Sequence, residues 1–128
     1  MDDELTILAL YGLWVALTLL AQSTGALSQL GMGYVLSARD DPRELTGIAG
    51  RLERALNNSV VALALFAPPI LILAVRDAFD ANSLLAAQVF LAARVAYVPL
   101  YALGIIGLRT LVWLAGFAAT VVLYFLAL

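Results

Sequence analysis

One apolar stretch of this 128-residue sequence carries three polar side chains that would lie on a single face of a helix. Arg94, Tyr97 and Tyr101 are spaced i, i+3 and i+7, which places them one above another along that face. A guanidinium forms paired hydrogen bonds to a carboxylate, and a tyrosine offers both a hydroxyl group and a ring face. The spacing therefore predicts a site for an anionic, peptide-like molecule.

A second polar face lies earlier in the chain, where Arg51, Arg54 and Asn58 repeat the same spacing. At a rise of ~1.5 Å per residue, Asn58 lies about 10 Å along the helix from Arg51. Arg51 can extend its side chain to the lipid headgroups, as arginines near the ends of membrane helices do. That explanation does not cover Asn58, so we expect Arg54 and Asn58 to point inward at Arg94.

Two further arginines differ in how deeply they lie. Arg94 is near the middle of its predicted helix, where an unpaired guanidinium is very costly, so it needs an anion, carbonyl oxygens or a water-filled pocket. Arg109 begins the last helix, followed by Thr110, and Trp113 comes one turn later. For Arg109, contact with headgroups and a role in the site are equal alternatives, and Trp113 also fits an interfacial aromatic belt.

The composition indicates what must position these residues. Hydrophobic residues make up 64% of the chain and charged residues 12%, and the mean hydropathy is +1.00. A soluble domain of this size keeps too much surface exposed to hide that much apolar area. Each of four apolar runs reaches the ~20 residues that a spanning helix needs, and none alternates as a barrel strand would. We therefore predict one all-α integral membrane domain over residues 1–128, a bundle of four transmembrane helices at about 5–36, 51–76, 83–104 and 108–127.

The same counts exclude several kinds of site. The chain has no cysteine and no histidine, which removes thiol nucleophiles, thiolate-held metals and the usual acid–base group of neutral pH. A net charge of −2 without a basic run gives no reason to expect nucleic-acid binding, and we expect no metal site. A cleavable signal peptide is disfavoured because the chain begins Asp2-Asp3-Glu4 rather than with basic residues.

Arginine placement predicts the orientation of the helices. Four arginines lie in or beside the connection between the first two helices, and a fifth follows the connection between the last two: Arg39, Arg43, Arg51, Arg54 and Arg109. The opposite side has only Arg76, beside Asp77 and Asp80. The positive-inside rule then places both connections in the cytoplasm and both termini outside.

Two features of the helices themselves also lead to predictions. Gln22, Gly25, Ala26 and Gln29 form one stripe on the first helix, which favours a packing seam, within the chain or between subunits, over a ligand site. The prolines of the second and third helices should break backbone hydrogen bonds and bend those helices; they are Pro68, Pro69 and Pro99.

Two long segments carry a resemblance to a known family. They read QLGMGYVLSARDDPRELTGIAGRLERALNN, residues 29–58, and FLAARVAYVPLYALGIIGLRTLVWLAG, residues 90–116. Together with the four-span layout, they resemble the MAPEG family, the membrane-associated proteins of eicosanoid and glutathione metabolism, in a divergent, bacterial-type form. The resemblance implies a homotrimer in a bacterial inner membrane. It also implies that glutathione binds between neighbouring subunits near the cytoplasmic face, for transfer to, or reduction of, lipophilic substrates.

The resemblance also implies roles for particular residues. Five would bind glutathione: Arg54, Asn58, Arg94, Tyr97 and Tyr101. Arg109 matches the arginine that stabilises the glutathione thiolate, and Thr110 falls where a hydroxyl group can touch the sulfur. Stabilising the thiolate is a sensible way to activate a thiol, because the anion is the nucleophile.

Two positions depart from the family pattern. Leu56 stands where the family usually has histidine, and Val61 stands where it has the glutamate that pairs with the arginine matched by Arg94. Two hypotheses therefore stay open. One is a glutathione-dependent transferase or peroxidase; the other is a non-catalytic membrane protein that binds lipid or serves as an accessory subunit of a membrane complex. A channel or transporter is a weaker third alternative, because no inverted repeat is visible.

Overall fold

The computed structural model describes residues 3–38, 40 and 43–128, and within them the chain forms five α-helices. These are α1 (Glu4–Leu30), α2 (Met32–Val35), α3 (Gly47–Val75), α4 (Ala81–Ala102) and α5 (Ile106–Ala127). Four of them, all except α2, are long and apolar enough to cross a membrane. The predicted all-helical, four-span architecture is confirmed. Arg39, which entered the orientation prediction, lies outside the described residues.

Two helix boundaries differ from the prediction. The first helix ends at Leu30 rather than near residue 36, because Gly31 has a positive φ of 85° that a continuing helix cannot contain. The Gly31 N–H still donates to the Leu27 carbonyl, and the short α2 follows. The second long helix starts at Gly47, one turn earlier than the polar face suggested. That extra turn brings the start of α3 against the end of α1.

The prolines do not end the helices that contain them. α3 continues through Pro68 and Pro69, and α4 continues for one turn beyond Pro99. A proline removes one backbone N–H, and neighbouring helices allow a membrane helix to tolerate that loss. Both spans therefore continue through their prolines.

An aromatic cluster lies at the centre of the bundle. Phe66 of α3 stacks on Phe90 of α4 with ring centres 3.8 Å apart, and Tyr11 of α1 meets Phe90 edge-on at 4.8 Å. All three side chains are fully or almost fully buried. Such ring pairs stabilise beyond the area that they bury. The cluster holds α1, α3 and α4 together one turn from the polar residues of the site.

The polar stripe on α1 packs against the start of α3 within the same chain. The Gln29 amide donates to the Thr46 carbonyl at 2.9 Å and accepts from the Thr46 N–H at 3.0 Å. A Cβ added at Gly25 would come within 3.1 Å of the Ala49 Cβ, so the two helices approach closely there. Ala26 is buried beside them. The prediction of a packing seam is confirmed, and the seam lies inside one chain.

Side-chain caps fix the opposite end of the bundle. Asp80 and Ser83 form a capping box at the start of α4, each side chain accepting from the other's backbone N–H at 2.8 Å. Asp3 caps α1 by accepting from the Thr6 N–H, and this hydrogen bond lowers the pKa of Asp3. Arg76 donates to the Ala127 carbonyl at the end of α5. Arg76 therefore joins the end of α3 to the end of α5.

The Gln29 amide pair leads to a stability prediction. Gln29→Ala removes both hydrogen bonds to Thr46, and we expect it to lower the free energy of unfolding by about 1–2 kcal/mol. Ser28→Ala, at the exposed neighbouring position, is the matched control and should change little. Melting in detergent measures both variants. Equal melting temperatures for the two would contradict a role for this amide in joining α1 to α3.

Candidate functional site

Arg94 lies in the interior of the bundle, with 2% of its surface exposed. Its Nη2 atom donates to the Ser59 hydroxyl oxygen at 3.3 Å, and its guanidinium carbon lies 4.2 Å from the centre of the Tyr97 ring. A cation over a ring face is attracted by the ring's quadrupole. The predicted grouping of Arg94 with Tyr97 is confirmed as a direct contact.

Ser59 connects three helices around Arg94. Its backbone carbonyl accepts from the Tyr11 hydroxyl at 2.8 Å, while its side chain accepts from Arg94. Both Ser59 and Tyr11 are fully buried. Sequence reasoning missed both residues. The available signals were weak: Ser59 directly follows Asn58, and Tyr11 is a hydroxyl-bearing residue in an apolar run.

Hydrogen bonding around Arg94 is incomplete. Its Nε is buried without a partner, and so is the Oδ1 of Asn58. Among the residues that the structure describes, Arg94 pairs with no carboxylate. Val61, where the sequence comparison expected a glutamate, is 58% exposed and lines the same cavity. Val61 therefore lies beside Arg94 without supplying an acid.

The Arg94 cavity, as we call it, lies between α3, α4 and α5. It has about 100 Å³ of free space, and its wall includes Asn58, Val61, Phe90, Arg94, Trp113 and Phe117. Asn58, Arg94 and Thr120 contribute polar groups to this wall, and most of the remaining lining is apolar. A Cβ added at Gly116 of α5 would approach the Arg94 Cδ to 3.3 Å. A glycine there lets α5 pass close to the arginine side chain.

A second, more open cavity lies nearer the helix ends and has about 260 Å³ of space. We call it the Arg109 pocket, and its wall consists of Tyr97, Tyr101, Arg109, Thr110 and Trp113. The Arg109 guanidinium carbon lies 4.4 Å from the centre of the Tyr101 ring. Arg54 Nε also donates to the Tyr101 hydroxyl, at 3.2 Å. Two positive charges thus contact one tyrosine at an accessible surface.

Two nearby polar residues bond to backbone groups. The Thr110 hydroxyl donates to the Ile106 carbonyl at 3.2 Å, which leaves its oxygen able to accept a hydrogen bond from a ligand. Arg51 Nε donates to the Ala102 carbonyl at 2.8 Å, at the C-terminal end of α4. Carbonyls at a helix C-terminus favour a cation. Arg51 therefore joins α3 to α4, and headgroup contact alone does not account for its position.

The predicted site residues divide between the two cavities. Asn58 and Arg94 line the first, while Tyr101, Arg109 and Thr110 line the second. Tyr97 contacts Arg94 and lines the Arg109 pocket, and Trp113 lines both. The expectation that Arg54 points at Arg94 is wrong, because Arg54 bonds to Tyr101 instead. The single predicted cleft is a pair of adjoining cavities.

The buried contact of Arg94 leads to a second stability prediction. Ser59→Ala leaves an arginine N–H buried without an acceptor, and such a loss costs about 1–3 kcal/mol. Ser23→Ala changes an exposed serine on α1 and serves as the control. Chemical or thermal unfolding in detergent compares the two. If both variants unfold alike, Ser59 does not hold the Arg94 side chain.

One comparison with known proteins finds a match. The model of the MAPEG family matches residues 5–128, which cover the four long helices except Glu4 and include every residue of the two cavities. Searches among curated proteins and among solved structures find no match to the chain. With nearly its whole length matched and four helices able to span a membrane, the chain belongs to the MAPEG family and is an integral, multi-pass membrane protein.

Proposed function

We propose that this protein is a glutathione-dependent transferase or peroxidase that acts on lipophilic substrates, with glutathione bound in the Arg109 pocket. The observation that carries the proposal is that Tyr101 contacts both Arg54 and Arg109 at an open surface. Glutathione has two carboxylates and two amides. Guanidinium groups bind carboxylates, and tyrosine and threonine hydroxyls bond to amides or to sulfur.

Arg109 supplies the chemistry in this proposal. A positive charge beside the glutathione sulfur stabilises the thiolate relative to the thiol, and the thiolate is the nucleophile. The Thr110 oxygen, whose hydrogen is already donated to Ile106, can accept the thiol proton's hydrogen bond before ionisation. The thiol proton passes to water, and the thiolate then forms an S–C bond with an electrophilic carbon while a leaving group departs with its electron pair or the electron pair of an opened double bond or epoxide takes up a proton. With a hydroperoxide, the thiolate attacks the terminal oxygen, the O–O bond breaks, and the alkoxide is protonated to an alcohol. A second glutathione then reduces the sulfenic acid, which gives glutathione disulfide and water.

The lipophilic substrate would reach the sulfur from the membrane. Trp113 forms part of both cavities, and Phe117 stacks on it with ring centres 5.3 Å apart. Phe117 is itself exposed on the outside of the bundle. An apolar molecule lying in the lipid can therefore contact the wall of the Arg109 pocket without crossing a polar surface.

The assembly and location remain part of the proposal. The Arg109 pocket is open on one side, and a neighbouring subunit of a homotrimer would close it over glutathione. The pocket lies at the same end of the bundle as Arg43, Arg51 and Arg54, which the positive-inside rule places in the cytoplasm. We expect both termini outside and the protein in the inner membrane of a bacterium.

One observation favours a second candidate, a non-catalytic MAPEG-family membrane protein that binds lipid or accompanies a membrane complex. Val61 replaces a carboxylate next to Arg94, so the guanidinium lacks an acid within the described chain. That loss removes one polar anchor expected for glutathione. The two candidates differ in whether the Arg109 pocket binds the tripeptide.

Glutathione titration tests the proposal directly. Purified protein in detergent should bind glutathione at millimolar concentration or below, measured by calorimetry. Arg109→Ala should weaken binding about tenfold or more, because a charge-assisted contact is lost. Arg76→Gln, which removes an arginine at the opposite end, should bind as the unchanged protein does. Absence of binding sinks the enzyme proposal, and unchanged binding by Arg109→Ala sinks the role of that arginine.

Variants of Tyr101 separate its two contacts. Tyr101→Phe keeps the ring beneath Arg109 but removes the oxygen that accepts from Arg54, so glutathione affinity should fall only a few-fold. Tyr101→Leu removes both contacts and should reduce affinity further, by about tenfold. The same calorimetric titration measures both variants. Equal affinities for the two would show that the ring does not position Arg109.

A further inference from the structure

The wall of the Arg94 cavity includes two polar groups without hydrogen-bond partners, in the interior of the membrane-spanning bundle. Arg94 Nε and Asn58 Oδ1 are both buried without hydrogen-bond partners, and both residues line this cavity. The Ser59 hydroxyl accepts a hydrogen bond from Arg94 Nη2, and the Tyr11 hydroxyl also lies near the guanidinium. Buried polar groups in folded proteins almost always have partners, so this cavity has the chemistry of a site that takes a ligand.

The charge of Arg94 defines the ligand's polar end. The Ser59 hydroxyl is neutral, and the Tyr97 ring offers only the modest attraction of a quadrupole. Neither one compensates a full positive charge that has been taken out of water. An anion does compensate it, and the planar guanidinium suits a carboxylate in particular. The Asn58 amide, turned to present its nitrogen, supplies a second donor.

The size and shape of the cavity define the rest of the ligand. The cavity has about 100 Å³ of free space, which leaves room for a carboxylate beside Arg94. Beyond the polar end, Val61, Leu65 and Phe117 form an apolar wall. These three side chains are also exposed on the outer surface of the bundle. The cavity thus opens on the outer surface of the bundle, between α3 and α5.

We propose that the Arg94 cavity binds the carboxylate end of a single-chain amphiphile. The carboxylate contacts Arg94 and Asn58, and the alkyl chain leaves between α3 and α5 along Val61, Leu65 and Phe117. This site is separate from the Arg109 pocket and does not depend on glutathione binding. Under this proposal, the protein recognises the carboxylate of an amphiphile that it takes from the membrane.

Val61 is the residue that keeps this cavity free for a ligand. It lies one helical turn beyond Asn58 on the same face of α3, and it lines the cavity that contains Arg94. A glutamate at this position would place a carboxylate beside the guanidinium and occupy the anion's place. Val61→Glu therefore fills the proposed site from within while leaving Arg94 intact.

The protein contains its own reporter for the experiment. It has two tryptophans, and Trp113 lines the Arg94 cavity whereas Trp14 does not. In a Trp14→Phe background, bromine atoms on a bound chain quench Trp113 fluorescence. The probes are a dibrominated eighteen-carbon fatty acid and the dibrominated alcohol of the same length, titrated into protein in nanodiscs. The acid should quench saturably, at a concentration about tenfold or more below that of the alcohol.

Two variants at position 61 complete the test. Val61→Glu should raise the half-quenching concentration of the acid about tenfold and leave the alcohol unchanged. Val61→Gln, which matches it in size but carries no charge, should retain the preference for the acid. Equal quenching by the acid and the alcohol overturns the proposal. That result is expected if an acidic side chain from a second copy already neutralises Arg94. An unchanged half-quenching concentration of the acid in Val61→Glu also overturns the proposal.

The outcome is distinguishable from that of the glutathione proposal. Arg109→Ala lies outside the Arg94 cavity and should leave the preference for the acid unchanged. A protein that binds the acid but not glutathione loses only the enzyme proposal. A protein that binds glutathione but does not prefer the acid loses only the Arg94 site.

Discussion

The constraint on which this structure depends is a positive charge in the middle of a membrane-spanning helix. Arg94 is almost fully buried, and three other helices meet it: α1 indirectly through Tyr11, α3 through Ser59 and α5 at Gly116. Water does not reach the middle of a membrane to solvate a guanidinium. The neighbouring helices must therefore stabilise the charge with hydrogen-bond acceptors, an aromatic ring or close packing. The aromatic cluster one turn away then fixes the spacing that these contacts require.

The two arginine sites differ in what their surroundings allow. Around Arg94 the contacts are buried and fixed. A ligand therefore gains affinity, because the unpaired Arg94 Nε is already held in position before binding. Around Arg109 the pocket is open, and Arg54 and Arg109 share Tyr101 without an acid between them. Solvent makes those charges inexpensive when the pocket is empty. The first arrangement favours selection of a small anionic group, and the second favours exchange of a larger, multiply charged molecule.

Sequence alone predicted the parts of this molecule that depend on local pattern. Four spans follow from apolar length, and helical spacing correctly placed Arg94 against Tyr97. It could not identify Ser59 as the acceptor for Arg94, because that contact depends on the rotation of α3 against α4. The same dependence misled the prediction for Arg54, which bonds to Tyr101 instead. The spacing of residues in the sequence defines one face of a helix. Only the packing of the helices decides which face of a neighbouring helix contacts it.

Val61, at the position where the family resemblance implies a glutamate, has a physical consequence for Arg94. A carboxylate at that position would neutralise Arg94 permanently, whereas valine leaves the charge to be matched by whatever enters the cavity. Trp113 is a common wall of the Arg94 cavity and the Arg109 pocket. Under both proposals, an acid bound at Arg94 and glutathione bound at Arg109 lie on either side of the Trp113 side chain.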